Sequence, residues 1–139
     1  MRIQGSLIVV AAIAAAAVAL AFNCAAEGKD LVLANGRHVP MKCYWTAMAE
    51  VALMLPALTL GVMMFFSRRR ESVRNLSIMG VAVAAVTMLL PTALIGVCAD
   101  MTANCSLIMR PALLFIGALV GAVSLFSLYN TTRMQETAA

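Results

Sequence analysis

Charge is scarce in this sequence. Asp, Glu, Lys and Arg make up 12% of its 139 residues, where soluble domains carry about a quarter. That scarcity excludes an ordinary soluble domain. Hydrophobic residues reach 63% and mean hydropathy is +0.96, and a chain this short buries only part of the apolar surface it carries. The surplus must face lipid. Histidine is limited to His38 and tryptophan to Trp45. No Gly-rich phosphate loop, Ser-His-Asp set or paired carboxylates occur, so nothing points to a nucleotide site or a hydrolase. There are four cysteines but no CxxC, which counts against a thioredoxin-like or quinone-coupled thiol oxidase. The net charge of +4 does not imply nucleic acid, because the basic residues are scattered around apolar spans.

Long apolar runs are abundant. A spanning helix takes about 20 mostly apolar residues, and four stretches qualify: 6–22, 45–66, 76–97 and 107–129. The expected fold is all-α, a single four-helix transmembrane bundle made of two helical hairpins. The loop at 67–75 holds Arg68, Arg69, Arg70 and Arg74, which assigns it to the cytoplasm by the positive-inside rule; Arg2 and Arg133 agree. Residues 23–44 and 98–106 are then outer loops, and both termini are cytoplasmic in a multi-pass protein of the plasma membrane. Lys29, Arg37 and Lys42 in the first outer loop weaken the bias. A cleaved signal peptide is the competing reading of the first span, since Arg2 gives a basic start and Ala19-Leu20-Ala21 resembles a cleavage site. The stretch is long for a signal core, and Asn23 is wrong for a residue preceding a lipoprotein cysteine, so the span is read as retained.

The first outer loop contains Leu31-Val32-Leu33-Ala34-Asn35-Gly36-Arg37-His38-Val39. Asn-Gly between two β-prone runs predicts a hairpin with a type I′ turn, both central residues at positive φ. So small a hairpin is not stable alone, and Cys24 and Cys43 bracket it as a clamp. The second outer loop is likewise flanked by Cys98 and Cys105. The order helix, Cys, loop, Cys, helix occurs twice in one orientation, which fits a parallel internal repeat. Four cysteines allow three connectivities. Pairing within each hairpin (24–43 and 98–105) is the simplest, and the two cross-pairings stay open. Two structural disulfides are expected, each contributing about 2–4 kcal/mol; a redox-active set is the competing reading.

Glu50 lies inside the second span, and an ionisable residue there is a functional candidate whose partner should be named. Arg110 sits at comparable depth atop the fourth span, so a Glu50–Arg110 pair is expected. Tyr44 and Trp45 suit the outer interface and Tyr129 the inner one. Pro56 and Pro91 should bend their spans. Gly117 and Gly121 form a GxxxG that packs within the bundle or against a partner helix. Eleven methionines raise a copper reading, but Met54, Met63, Met64, Met79 and Met88 fall in spans, where Met is ordinary filler. No metal or cofactor is expected.

At this point a family becomes recognisable. Met41-Lys42-Cys43-Tyr44-Trp45-Thr46-Ala47-Met48-Ala49-Glu50 resembles the signature of the DUF4418 family of small four-helix bacterial and archaeal membrane proteins, roughly M-K-C-H-W-T-A-Q-A-E. Pro91-Thr92-Ala93-Leu94-Ile95-Gly96-Val97-Cys98, continuing through Met101 and Cys105 to Pro111-Ala112-Leu113, is a second match. Tyr44 stands where the family usually has His, and Met48 where it has Gln, so the resemblance does not favour a metal site. It implies, by the association of such proteins with MacB-like ABC transporter permeases and ATPases, an accessory subunit of a transporter complex. The expected function is thus a non-enzymatic accessory or small-molecule-binding subunit, with Glu50, Arg110, Trp45, Tyr44 and Thr46 as candidate binding or interface residues. A membrane thiol–disulfide oxidoreductase using Cys24, Cys43, Cys98 and Cys105 is the first alternative, and metal or haem handling the second. The bilayer is the one partner expected without the resemblance.

Overall fold

A computed structural model describes residues 2–23, 28, 31–67, 69–97 and 104–136. Four long helices dominate: α1 (Arg2–Ala21), α2 (Lys42–Phe66), α3 (Arg70–Leu89) and α4 (Arg110–Glu136). Two π-helical turns flank the second long connection, π1 (Leu90–Leu94) closing α3 and π2 (Cys105–Met109) leading into α4. A two-stranded antiparallel sheet, β1 (Leu31–Val32) with β2 (His38–Val39), precedes α2. All four helices are long and apolar enough to cross a membrane.

Each expected span overlaps one of these helices, but the ends differ, 6–22 running past Ala21 and 76–97 past Leu94. The connection between α2 and α3 is three residues, 67–69, because α3 already begins at Arg70. Arginine is a good helix former, so an arginine run does not mark a loop. α2 runs unbroken through Pro56. At Pro91, by contrast, the helix changes register. Leu90 N–H makes the last α-type bond, to Val86 O. Pro91 has no N–H to donate, and the bonding widens so that Ile95 and Gly96 N–H both donate to Leu90 O, at 3.2 and 3.1 Å. Gly96 closes the turn at φ +79°, a conformation glycine adopts without penalty.

The hairpin forms, but not with the expected turn. Leu33 O accepts from Gly36 N–H at 2.8 Å, and Leu33 N–H donates to Arg37 O. Gly36 sits at φ +76°, whereas no described non-glycine residue has positive φ. This is a three-residue loop, a type I turn followed by a glycine bulge, which needs one left-handed residue where type I′ needs two. The clamp expected on this hairpin involves Cys24, which lies outside the described residues, as does Cys98.

The helices form a closed ring. α1 with α2 and α3 with α4 are the intimate pairs, and α1–α4 and α2–α3 contacts complete it. Bulk is sorted inside out. On α1, Ile8, Ala12, Ala15 and Ala19 are buried while Ile3, Leu7, Val10 and Ile13 are exposed. On α2 the buried stripe is Cys43, Thr46, Ala47, Glu50, Met54, Ala57, Gly61 and Met64, a helical spacing of three and four. Lipid tails solvate leucine as well as a protein core does, so helices associate where small side chains let backbones touch. Gly5 and Gly61 provide such a contact: a Cβ on Gly5 would lie 2.7 Å from Phe65 N and 2.9 Å from Gly61 O. The GxxxG of α4 is spent within the bundle. A Cβ on Gly117 would lie 2.7 Å from Met88 Cγ, and one on Gly121 3.5 Å from Ala84.

Candidate functional site

The buried stripe of α2 carries the site. Eight residues separate Glu50 from the start of α2 at Lys42, so it lies about 12 Å down the helix axis. Its spacing from Cys43, Ala47 and Met54 places it on the face turned to the other helices, and its side chain is 0% exposed. Among the described residues, neither Oε1 nor Oε2 finds a hydrogen-bond donor of good geometry. Thr87 of α3, itself buried, is the polar side chain that approaches it.

One turn nearer the hairpin end, Thr46 is also fully buried. Its hydroxyl donates to Gly96 O at 2.6 Å, with Lys42 O more distant at 3.4 Å. A hydroxyl has one proton, so the shorter contact holds it. This bond latches α2 to the end of π1, across fifty residues of sequence. Around it lie Cys43, Ala47, Cys105, Met109 and Leu113, which share one buried cluster with the alanine face of α1. Further along α2, and not lined by Glu50 itself, is a cavity of about 10 Å³ bounded by Met54, Ala57, Val83, Thr87 and Gly117 among others. That is the scale of a single water molecule.

The expected Glu50–Arg110 pair is not formed. Arg110 is exposed, and among the described residues no ion pair reaches Glu50. The reason is helical phase. Met109 and Leu113 occupy the inward positions of π2 and α4, and the residue after Met109 is turned about 100° away. Trp45 is exposed at the same end, and half-buried Tyr44 meets it edge to face, ring centroids 5.6 Å apart. His38 is exposed in β2. Among the described residues no three His, Cys, Asp or Glu side chains converge. Cys43 and Cys105 are both buried.

Two features were not anticipated from the sequence. The Thr46–Gly96 latch depends on how π1 ends, and no local signal announces it. The second is a hydroxyl seam: Ser77 of α3 with Ser124, Ser127 and Thr131 of α4 are buried. Ser77 and Thr131 bond back to their own helices, while the hydroxyls of Ser124 and Ser127 are unpaired. Ser124 and Ser127 sit three residues apart in an otherwise greasy span, which was a readable clue.

Four apolar helices around a buried polar site define a multi-pass membrane protein. The chain belongs to the DUF4418 family, a domain of unknown function, whose model matches residues 6–130. No curated protein and no solved structure matches it.

Proposed function

We propose that this chain is a non-enzymatic membrane subunit that binds a partner or small ligand at the hairpin end of its bundle, as an accessory component of an ABC-type (MacB-like) transporter complex. The observation that supports it is Glu50, a fully buried carboxyl that Thr87 approaches but whose oxygens accept no hydrogen bond of good geometry among the described residues. Buried polar groups are normally hydrogen-bonded, and an orphan inside a membrane bundle points to something that comes and goes. Exposed Trp45 and Arg110 at the same end suit a contact with a neighbouring subunit. In this reading the arginine end faces the cytoplasm with both termini, because the short α2–α3 connection and the first turns of α3 hold Arg68, Arg69, Arg70 and Arg74. Cys43 is disulfide-bonded, which suits a clamp on the first outer loop with 24–43 as the simplest pairing, whereas the 98–105 bridge expected on the second is not formed. Burial of Cys43 and Cys105 supports a structural role over thiol exchange, which needs accessible sulfur.

The test is a mild-detergent pull-down of the tagged protein from native membranes, with mass spectrometry of everything retained. A permease and its ATPase in stoichiometric yield are the expected result. A protein that comes alone, or with quinone, haem or metal, overturns the transporter reading.

A further inference from the structure

We infer that Glu50 is a proton-binding site, a single carboxyl that takes up and releases a proton through the hairpin end of the bundle. This goes beyond the transporter reading and does not depend on it, since it concerns the isolated chain.

The argument is one of elimination by size and ligand count. Whatever visits Glu50 has to neutralise one negative charge in the space available. A calcium-like or magnesium-like ion needs about six oxygen ligands. Glu50 brings two bare oxygens, and among the described residues no acidic, histidine or cysteine cluster joins it. An ammonium or guanidinium group needs a pocket of its own size, and Glu50 is 0% exposed, with no room for even a water-sized group against its carboxyl oxygens. A bare proton fits both limits.

Among the described residues no second charge shares the site. Buried on the inward faces of the neighbouring elements are alanines of α1, Thr87, Leu90 and Pro91 of α3 and π1, and Cys105 with Met109 of π2, and Thr87 is the one that approaches the carboxyl. Cys43 on its own helix is disulfide-bonded and does not titrate, and among the described residues no acidic, basic or histidine side chain is one of these neighbours.

Distance sets the route. Towards the arginine end, the next buried hydroxyl beyond Thr87 is Ser124, packed against Gly80. Gly80 lies seven residues from Thr87, about 10 Å of helix, and Val83 and Val120 flank the gap. Towards the hairpin end, the Thr46 hydroxyl is one turn away, and beyond it Ile95, Gly96 and Val97 are partly exposed. Release then balances simply. The Glu50 O–H bond breaks, the proton leaves to water at the hairpin end, and the electron pair stays on the carboxylate. Thr46 turns its O–H from Gly96 O to Glu50, giving the carboxylate a donor as the latch opens. Uptake reverses each step.

The experiment treats the purified full chain in lipid nanodiscs with dicyclohexylcarbodiimide, which adds across the protonated carboxyl. Adducts are located by peptide mass spectrometry over a series of pH values. One adduct is expected, on Glu50, falling as pH rises and absent in Glu50→Gln. Infrared difference spectra of the wild-type chain, which need no variant, should show a carboxylic acid carbonyl band lost over the same pH range. An unreacted Glu50 at every pH, an adduct independent of pH, or no titrating band overturns the inference. None of these outcomes bears on the pull-down.

Discussion

Replacing Gly5 with alanine adds one methyl group where α1 meets α2. It would stand 2.7 Å from Phe65 N and 2.9 Å from Gly61 O, both backbone atoms that cannot rotate aside. Ordinary contact begins near 3.4 Å, so the helices must part by about 0.7 Å, the difference between 2.7 and 3.4 Å. A gap of that size forfeits about a quarter to a half of each stretched dispersion contact. Because α1–α2 is one of the intimate pairs of the ring, the loss should reach about 1–3 kcal/mol, the usual range for overpacking. Equilibrium unfolding in mixed micelles by SDS titration, followed by circular dichroism, measures it. Ile13→Ala is the control: the side chain is exposed to lipid, and its removal should cost about 0.5 kcal/mol or less. Gly61→Ala strains the same crossing, so the double variant should cost less than the sum of the singles. If Gly5→Ala is as stable as wild type while Ile13→Ala is not, close backbone contact is not what joins these helices.

Thr46→Val should lose about 0.5–2 kcal/mol with the Gly96 bond, in the range of interhelical hydrogen bonds in membranes, while Thr46→Ser keeps most of it; proteolysis near Gly96 should quicken in the valine variant alone. Glu50→Leu should raise resistance to SDS by about 1–3 kcal/mol, because it removes an unsatisfied buried polar group, and a less stable variant would mean that Glu50 has a partner. Gly117→Leu should disrupt the α3–α4 pair in the same titration, whereas Gly121→Ala, meeting Ala84 at 3.5 Å, should be nearly neutral. Gly36→Ala places a side chain at φ +76° and should loosen the hairpin by about 1 kcal/mol, read as faster amide exchange at residues 31–39.

Four helices and their approximate limits were legible because an apolar run of spanning length is stable in few places besides a bilayer. The face each helix turns inward was harder to read. Periodicity fails when a helix is apolar all round, and only the small residues of α1 and the polar ones of α2 betrayed it. Glu50 was found because charge is scarce in such spans. Its partner was misjudged because depth was compared without phase, and Met109 rather than Arg110 takes the inward position. The hairpin was legible from Asn35-Gly36, but its turn type depends on how many residues the strands leave between them. The latch joins residues fifty apart, and a pairing of that kind exists only once the chain is folded.

The two π turns give the chain a tolerance for changes in its own length. A π turn holds one residue more than the α turn it replaces. Deleting one residue from Cys105–Met109 can be absorbed by tightening to an ordinary turn, leaving Leu113 and everything after it in phase. The same deletion within α4, at Leu119 for instance, rotates one part of the helix against the other by about 100°. The hydroxyls of Ser124, Ser127 and Thr131 would then be presented to hydrocarbon. Insertions and deletions in this fold should therefore collect beside the connection between π1 and π2, where the helix has slack to give or take.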